Sequence, residues 1–377
     1  MSIVSSITQF WYTRGNILAR VLSPLGFAYS FVAESRVQAT KPHVGKPVVI
    51  CIGNFVVGGA GKTPLALSIA DRLKRTNLKI CFLTRGYLGK EEGPLLVNPL
   101  SHTSKDVGDE ALILSKSAPT IVSKNRRAGY EIAEKNGFDI IIMDDGFQNP
   151  TVHKDISFIA MDAGAGVGNG LVMPAGPLRM RLRAQLPNVS AIITIGDGFG
   201  GETVVQRAKR QYNIPRFRAY FEPDESLKSY IGKSVIAYCG IGRPEKFLET
   251  LEDVGIKIPR YQFYTDHYAY KDSDAETLLG LSNKLKMPLL TTEKDYVRLP
   301  NDDSPLGQLK KRSVTVPIKL IFEDNKELNQ MLKMKLGEAL KNKKIQNTSD
   351  NNKTKAAASN QSIAQKKMPP SKKEDVS

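Results

Sequence analysis

The sequence predicts an α/β protein with a mostly parallel sheet, on three observations. Short continuous apolar runs recur along the chain, helix-like stretches separate them, and conspicuous polar residues fall just after the runs. Strands apolar on both faces lie between two helical layers, and alternation with helices makes them parallel. Ligands of such sheets bind at the carboxyl ends of the strands.

The chain of 377 residues is long enough for two domains with separate cores, and 41% hydrophobic with 24% charged residues is a globular composition. Taking the elements in order, the first stretch carries Phe10-Trp11-Tyr12, Ile17-Leu18-Ala19, Val21-Leu22 and the run from Leu25 to Val32, interrupted by Arg14, Arg20 and Pro24. It lacks the cleavage pattern of a signal peptide. Only 13 uncharged residues separate Arg20 from Glu34, short of the roughly 20 of a spanning helix. Residues 1–35 therefore read as a helix pair lying in a membrane interface. A hairpin packed on the protein's own core and a tilted single span with Arg20 snorkelling are the other arrangements this composition permits.

The apolar run Val48 to Ile52 leads into Gly53-Asn54-Phe55-Val56-Val57-Gly58-Gly59-Ala60-Gly61-Lys62-Thr63-Pro64, and a helical pattern follows from Leu65. Strand, glycine-rich loop and helix in that order cradle phosphates: glycines allow close approach of backbone N–H groups, and the helix adds its positive end. In a Gly-Lys-Thr signature Lys62 reaches the β- and γ-phosphates, and Thr63 offers a hydroxyl to Mg²⁺. Val56 stands where the signature puts its first glycine, and Gly58 and Gly59 supply freedom inside the loop. The motif specifies a nucleotide but no reaction.

Further strands are expected at Ile80 to Leu83, Thr120 to Val122, Ile140 to Met143, Ile156 to Ala160 and Ala191 to Ile195, with helices at Glu110 to Ser117 and Arg126 to Asn136. Asp144-Asp145 end an apolar strand as a Walker-B pair does, so one carboxylate serves Mg²⁺ and the other orients the metal shell or an acceptor. Together these features predict a P-loop NTPase-like domain over 36–205. Asp109 and Glu110 open a helix after a glycine. Capping accounts for one of them, and a base that takes a proton from an attacking hydroxyl accounts for the other. Arg85, Arg126, Arg127, Arg179, Arg181 and Arg183 offer forks for phosphates.

A second, smaller α/β domain over 206–341 is expected from strands at Arg216 to Phe221, Ser234 to Cys239, Pro288 to Thr291 and Val314 to Ile321, with helices at Pro244 to Val254 and Ala275 to Leu285. His267, between aromatic residues, reads by position alone as a packed residue or a functional one. From 342 to 377 apolar periodicity gives way to Asn, Lys, Ser, Thr, Ala and Gln, the composition of a disordered basic tail.

The formal charge is +16, and the stretch from Lys341 onward holds nine Lys against three acidic residues. Such a body suits phosphates or an anionic membrane as well as nucleic acid. No finger spacing, RNP motif or helix-turn-helix supports nucleic acid, which is not expected as a partner. Cys51, Cys81 and Cys239 lie in apolar contexts outside any C-x-x-C pair, as core residues of a reducing compartment, and no structural zinc site is expected.

Gly53-Asn54, Val57 to Pro64, Arg85-Gly86-Tyr87, Val107 to Glu110, Asp144 to Gln148, Pro174 to Arg179, Asp266-His267 and Thr291 to Asp295 occur in this order. The series resembles the tetraacyldisaccharide 4'-kinases, the lipid A 4'-kinases of Gram-negative bacteria, over roughly residues 10 to 335. The resemblance implies transfer of the ATP γ-phosphate to the 4'-hydroxyl of a lipid A disaccharide 1-phosphate precursor, forming lipid IV-A at the cytoplasmic face of the inner membrane. It also implies two α/β domains closing over ATP. By motif, Gly58, Gly59, Ala60, Gly61, Lys62, Thr63 and Pro64 hold ATP, and Thr63 and Asp144 hold Mg²⁺. Asp109 is the base, paired with His267, while Asp145 and Lys62 serve the reacting groups and Glu110, Arg127 and Gln148 bind substrate. Val56, Ala60 and Asn149 depart from frequent family residues at the loop edge. A membrane-surface P-loop ATPase switch without a lipid product is the alternative reading.

Overall fold

In a computed structural model the chain is described over residues 9–13 and 15–366, with side chains as far as Ile345. Arg14, the first eight residues and the last part of the basic tail, 367–377, lie outside the described residues.

The strands are β1 (Val48–Gly53), β2 (Ile80–Thr84), β3 (Leu95–Leu96), β4 (Thr120–Val122), β5 (Ile140–Asp144), β6 (Ile156–Asp162), β7 (Ala191–Ile195), β8 (Arg216–Pro223), β9 (Ser234–Cys239), β10 (Lys257–Phe263), β11 (Leu289–Thr292), β12 (Ser313–Val316) and β13 (Ile318–Phe322). They form a nine-stranded sheet in the order β13-β8-β7-β6-β1-β5-β2-β4-β3 and a four-stranded sheet in the order β10-β9-β11-β12. The large sheet is parallel except at its edges, where β13 runs against β8 and β3 against β4. The small sheet is parallel throughout.

Alternate residues of β1 explain the layering. Val48, Ile50 and Ile52 face a core that includes Leu65, Ile69 and Leu73 of the helix Lys62–Leu73, whereas Val49 and Cys51 face Tyr130 and Ala133 of the helix Arg126–Lys135. Every residue of β1 is buried, as a central parallel strand requires. Register then places the functional residues: Ile52 pairs with Asp144, so the phosphate loop and the acidic pair leave the sheet side by side.

Four sequence expectations are revised. First, the boundary near 205, with 36–205 and 206–341 as the two domains, does not follow the sheets. β8 and β13 both join the large sheet, and the chain visits the small sheet only between them. The run Val314 to Ile321 is accordingly two strands, because Pro317 has no N–H for a ladder. The outgoing and returning segments touch where Asp224 N donates to Pro317 O at 2.9 Å.

Second, among its described residues the N-terminal segment holds one long helix, Ile17–Ala39, after a short 3₁₀ turn, Gln9–Tyr12, in place of the expected helix pair. Pro24 sits inside it and cannot donate to Arg20 O, which accepts instead from Ser23 Oγ at 2.9 Å. Third, the backbone is helical across Asn325–Lys366, into the stretch read as tail. Its first half belongs to the large-sheet core: Leu328, Leu332, Leu336 and Ala339 form one buried stripe. Lys, Gln and Ala, frequent in the sequence beyond it, are competent helix formers. Fourth, β3 and β10 have no counterpart among the expected strands. β10 is mostly exposed and carries Lys257, Pro259 and Arg260, the residues of an edge strand.

Because Leu328 is fully buried against the sheet, Leu328→Ala is expected to destabilise the folded chain by about 2–5 kcal/mol. Urea unfolding monitored by circular dichroism checks this, and a loss under about 0.5 kcal/mol would remove the helix from the core.

Candidate active site

The phosphate loop is fixed by its neighbours more than by its glycines. Asn54 is fully buried, donates from Nδ2 to Gly58 O at 3.1 Å, and offers its own carbonyl to Gln148 Nε2 at 2.7 Å. Val56 bridges Leu178, and Val57 N donates to Pro177 O at 2.8 Å. This clamp by the 172–179 segment is the physical reason a valine serves where a glycine is usual. Beyond it Gly58 and Gly61 adopt φ of +115° and +79°, the left-handed region that glycine tolerates. A side chain added at Gly58 or Gly59 would meet nothing, so the loop edge faces open space. The helix Lys62–Leu73 has no side-chain cap, which leaves its first amides free for an anion. Lys62 Nζ lies 3.3 Å from Gly58 O and 3.9 Å from Asp145.

Asp144 and Asp145 behave differently although adjacent. Asp144 ends β5 at 1% exposure; its Oδ2 accepts from Thr63 Oγ1 at 3.2 Å, and its Oδ1 is buried without a partner. Burial, then the negative charge of Glu110, pushes this carboxyl up to about 7. Asp145 has φ of +52°, an uncommon conformation for a residue with a side chain. That turn aims it at Arg179, whose two terminal nitrogens grip it at 2.8 and 3.1 Å. Burial opposes its charge, but Lys62 and Arg179 outweigh burial and hold the carboxyl below its ordinary value.

On the far wall Asp109 opens the helix Asp109–Ser115 at 4% exposure. Its Oδ2 accepts from His267 Nδ1 at 3.2 Å and from Arg298 Nη2 and Nε at 2.6 and 3.1 Å, all from the small-sheet side. Burial alone would raise this carboxyl, yet the His267 hydrogen bond and the charges of Lys294 and Arg298 hold it well below the usual carboxylate range. Next to it Glu110 pairs with Lys294 at 2.9 Å. His267 has φ of +55°, donates its backbone N–H to Gly240 O, and packs edge-on to Tyr87 at 5.5 Å. Asp106, by contrast, is spent on a capping box with Thr103 and a pair with Lys90.

Two sides therefore converge: the loop with Lys62, Thr63, Asp144, Asp145 and Gln148, and Asp109, Glu110 and His267 at the contact between the two sheets. Arg127 is not among them. It is exposed and pairs with Glu131 on its own helix. Arg126 takes that place, 3% exposed, donating to Ser123 O and reaching Asp145 O at 3.5 Å. The buried stripe Arg126, Gly129, Tyr130, Ala133 follows helical spacing, the signal that distinguishes the two arginines. Arg179 and Arg298 join these residues by contact, gripping Asp145 and Asp109; Arg298 lies three residues beyond Asp295, the end of the Thr-Thr-Glu-Lys-Asp motif. Among the described residues no group of three or more His, Cys, Asp or Glu side chains converges on a metal site. A hydroxyl, one carboxylate and a polyphosphate are the ligands hard oxygen chemistry would assemble here.

A glycine-rich loop between a central parallel strand and a helix, with an acid pair on the adjacent strand, defines a P-loop nucleotide-binding protein. Comparison with known proteins narrows this. The model of the LpxK family, "Tetraacyldisaccharide-1-P 4'-kinase", matches residues 18–337. A tetraacyldisaccharide 4'-kinase from Parvibaculum lavamentivorans is 40% identical over 322 residues, spanning 84% of this chain and 94% of the relative. One from Rhodospirillum rubrum is 42% identical over 318 residues, spanning 84% and 93%. The chain belongs to the tetraacyldisaccharide-1-P 4'-kinase family. The fold is shared with the crystal structure of LpxK from Aquifex aeolicus in complex with ATP, at TM-score 0.67 and 23% identity, covering 85% of this chain and 100% of that one.

The two arginines give a direct check. Arg126→Met is expected to lower kinase turnover by about tenfold or more, the loss of a charge-assisted contact, while Arg127→Ala stays within about twofold of wild type. Equal losses in steady-state assays would contradict the assignment of Arg126 to the site.

Proposed function

We propose that this protein transfers the γ-phosphate of ATP to the 4'-hydroxyl of tetraacyldisaccharide 1-phosphate, giving lipid IV-A in lipid A biosynthesis. Family membership supports the reaction. The observation that carries the mechanism is the meeting of Asp109 and His267 across the two sheets, at 3.2 Å.

In this reading the loop amides of Gly58 to Thr63 and the Lys62 ammonium hold the phosphates, and Pro64, which has no N–H to leave unmade, begins the helix. Thr63 and Asp144 fit Mg²⁺: both offer oxygen, and Asp144 Oδ1 is buried with no other partner. Mg²⁺ bound there supplies neutralisation of charge on the β- and γ-phosphate oxygens. Asp145, braced by Arg179, keeps Lys62 aimed at the transferring group.

The acceptor oxygen attacks phosphorus, the bond from phosphorus to the β–γ bridging oxygen breaks, and ADP leaves with that electron pair. The hydroxyl proton passes to the Asp109 carboxylate. Asp109 is a weak base because its neighbours hold it ionised, so the proton moves late, after bonding to phosphorus has made the hydroxyl acidic. His267, donating from Nδ1, orients the carboxylate. Glu110 and Gln148 border the acceptor side, each held by a fixed partner, Lys294 and Asn54.

The acceptor is a lipid, and the helix Ile17–Ala39 suits its presentation from the membrane surface on the cytoplasmic face of the inner membrane. By length and composition it is the one helix among the described residues apolar enough to cross a membrane. Ile17, Val21, Leu25, Phe31 and Val32 are exposed on it, while Ala19, Gly26 and Ser30 pack on the protein. Glu34 pairs with Arg181, just beyond the 172–179 segment that clamps the phosphate loop.

The test is transfer of radiolabel from γ-labelled ATP to purified tetraacyldisaccharide 1-phosphate in detergent with the full chain. Lipid-dependent transfer is expected, and Asp109→Ala should lower it by about 10² to 10⁴. ATP hydrolysis that proceeds without lipid product would favour the ATPase switch instead.

A further inference from the structure

The helix Glu293–Arg298 presents two cations one turn apart to two adjacent acids that open a helix on the large-sheet side: Lys294 to Glu110 at 2.9 Å, and Arg298 to Asp109 at 2.6 Å. Arg298 is the more constrained, at 7% side-chain exposure with every guanidinium nitrogen engaged. Nη1 stays within its own unit, donating to Asp295 Oδ1 at 2.8 Å and Gly240 O at 2.7 Å. Nε and Nη2 reach across to Asp109 Oδ2.

Asp295 is itself immobilised. It is fully buried, accepting from Gly240 N at 2.9 Å, Tyr270 Oη at 2.8 Å and Thr292 Oγ1 at 2.6 Å as well as from Arg298. The Gly240 carbonyl that accepts from Arg298 also accepts the backbone N–H of His267. One peptide group therefore sets the positions of both donors to Asp109. An arginine bridging two buried carboxylates stays charged, and its planar fork fixes direction as well as distance.

We propose that Arg298 is the positioning residue of the transfer reaction: anchored on Asp295, it seizes Asp109 when the two sheets come together and so couples domain closure to assembly of the proton acceptor. The proposal rests on the phosphotransfer reading above.

The groups facing Asp109 are His267 and Arg298 from the small-sheet side, Glu110 on its own helix and Lys294 paired with it. Asp266 stands behind His267, at 3.9 Å, and Asp295 behind Arg298. Removing the guanidinium takes away one of the charges that oppose burial, so the Asp109 carboxyl rises.

The experiment measures kcat and KM for ATP in lipid phosphorylation by the full chain and by Arg298→Gln, Arg298→Lys and Asp295→Asn, with thermal melts to confirm folding. For Arg298→Gln the expected result is a kcat loss of about tenfold or more with KM for ATP within about twofold. Arg298→Lys keeps the charge but cannot span both carboxylates, so kcat falls there too while KM for ATP is kept. Asp295→Asn should resemble Arg298→Lys, and this pair carries the test if Arg298→Gln does not fold. Unchanged kcat in folded Arg298→Gln, a KM for ATP that rises as far as kcat falls, or full turnover in Arg298→Lys overturns the proposal. A wild-type chain that phosphorylates no lipid contradicts the phosphotransfer reading itself.

Discussion

The site depends on one constraint: a buried carboxylate, Asp109, belongs to one sheet while the donors that stabilise its charge belong to the other. An ionised carboxylate at 4% exposure is costly without partners. Arg298 and His267 supply them only when the sheets stand together, so contact between the sheets and the electrostatics of the site are a single event. The chain's path serves this. It leaves the large sheet after β8 and returns at β13 through adjacent segments, with Asp224 and Pro317 in contact, so the connection between the two units is narrow.

The same cleft pushes carboxylates in opposite directions. Asp144 is raised to about 7 by burial and by Glu110, whereas Asp109 and Asp145 are held low by His267 and nearby cations. Separation of this kind divides roles. In the proposed mechanism Asp144 would hold a divalent cation, the ion-paired Asp145 braces Lys62, and Asp109, held by His267 and Arg298, receives a proton at the end of the transfer. Arg179 links these parts to the helix Ile17–Ala39, because Arg181, two residues further on, holds Glu34.

The architecture was legible in the sequence wherever burial on both faces left continuous apolar runs, as in β1, β2, β5, β6 and β7. The phosphate loop and acid pair were legible because their chemistry requires fixed residue types at strand ends. The boundary near 205 was not, since membership of a sheet depends on where β8 and β13 pair, which no local pattern records. The motif alone does not separate Arg126 from Arg127; helical phase does, since Arg126 shares the buried stripe with Gly129, Tyr130 and Ala133. Arg298 escaped because its partner, Asp109, lies 189 residues away in sequence. Single-residue function at an interface between units is encoded in the closed arrangement and leaves little trace in local spacing.

The most direct measurement is a double-mutant cycle on kcat for lipid phosphorylation with Asp109→Asn, Arg298→Gln and the pair. If Arg298 acts through Asp109, its substitution costs little once the carboxylate is gone, and the double variant falls within about threefold of Asp109→Asn alone. Losses that multiply, so that each substitution costs the same in either background, would contradict the account.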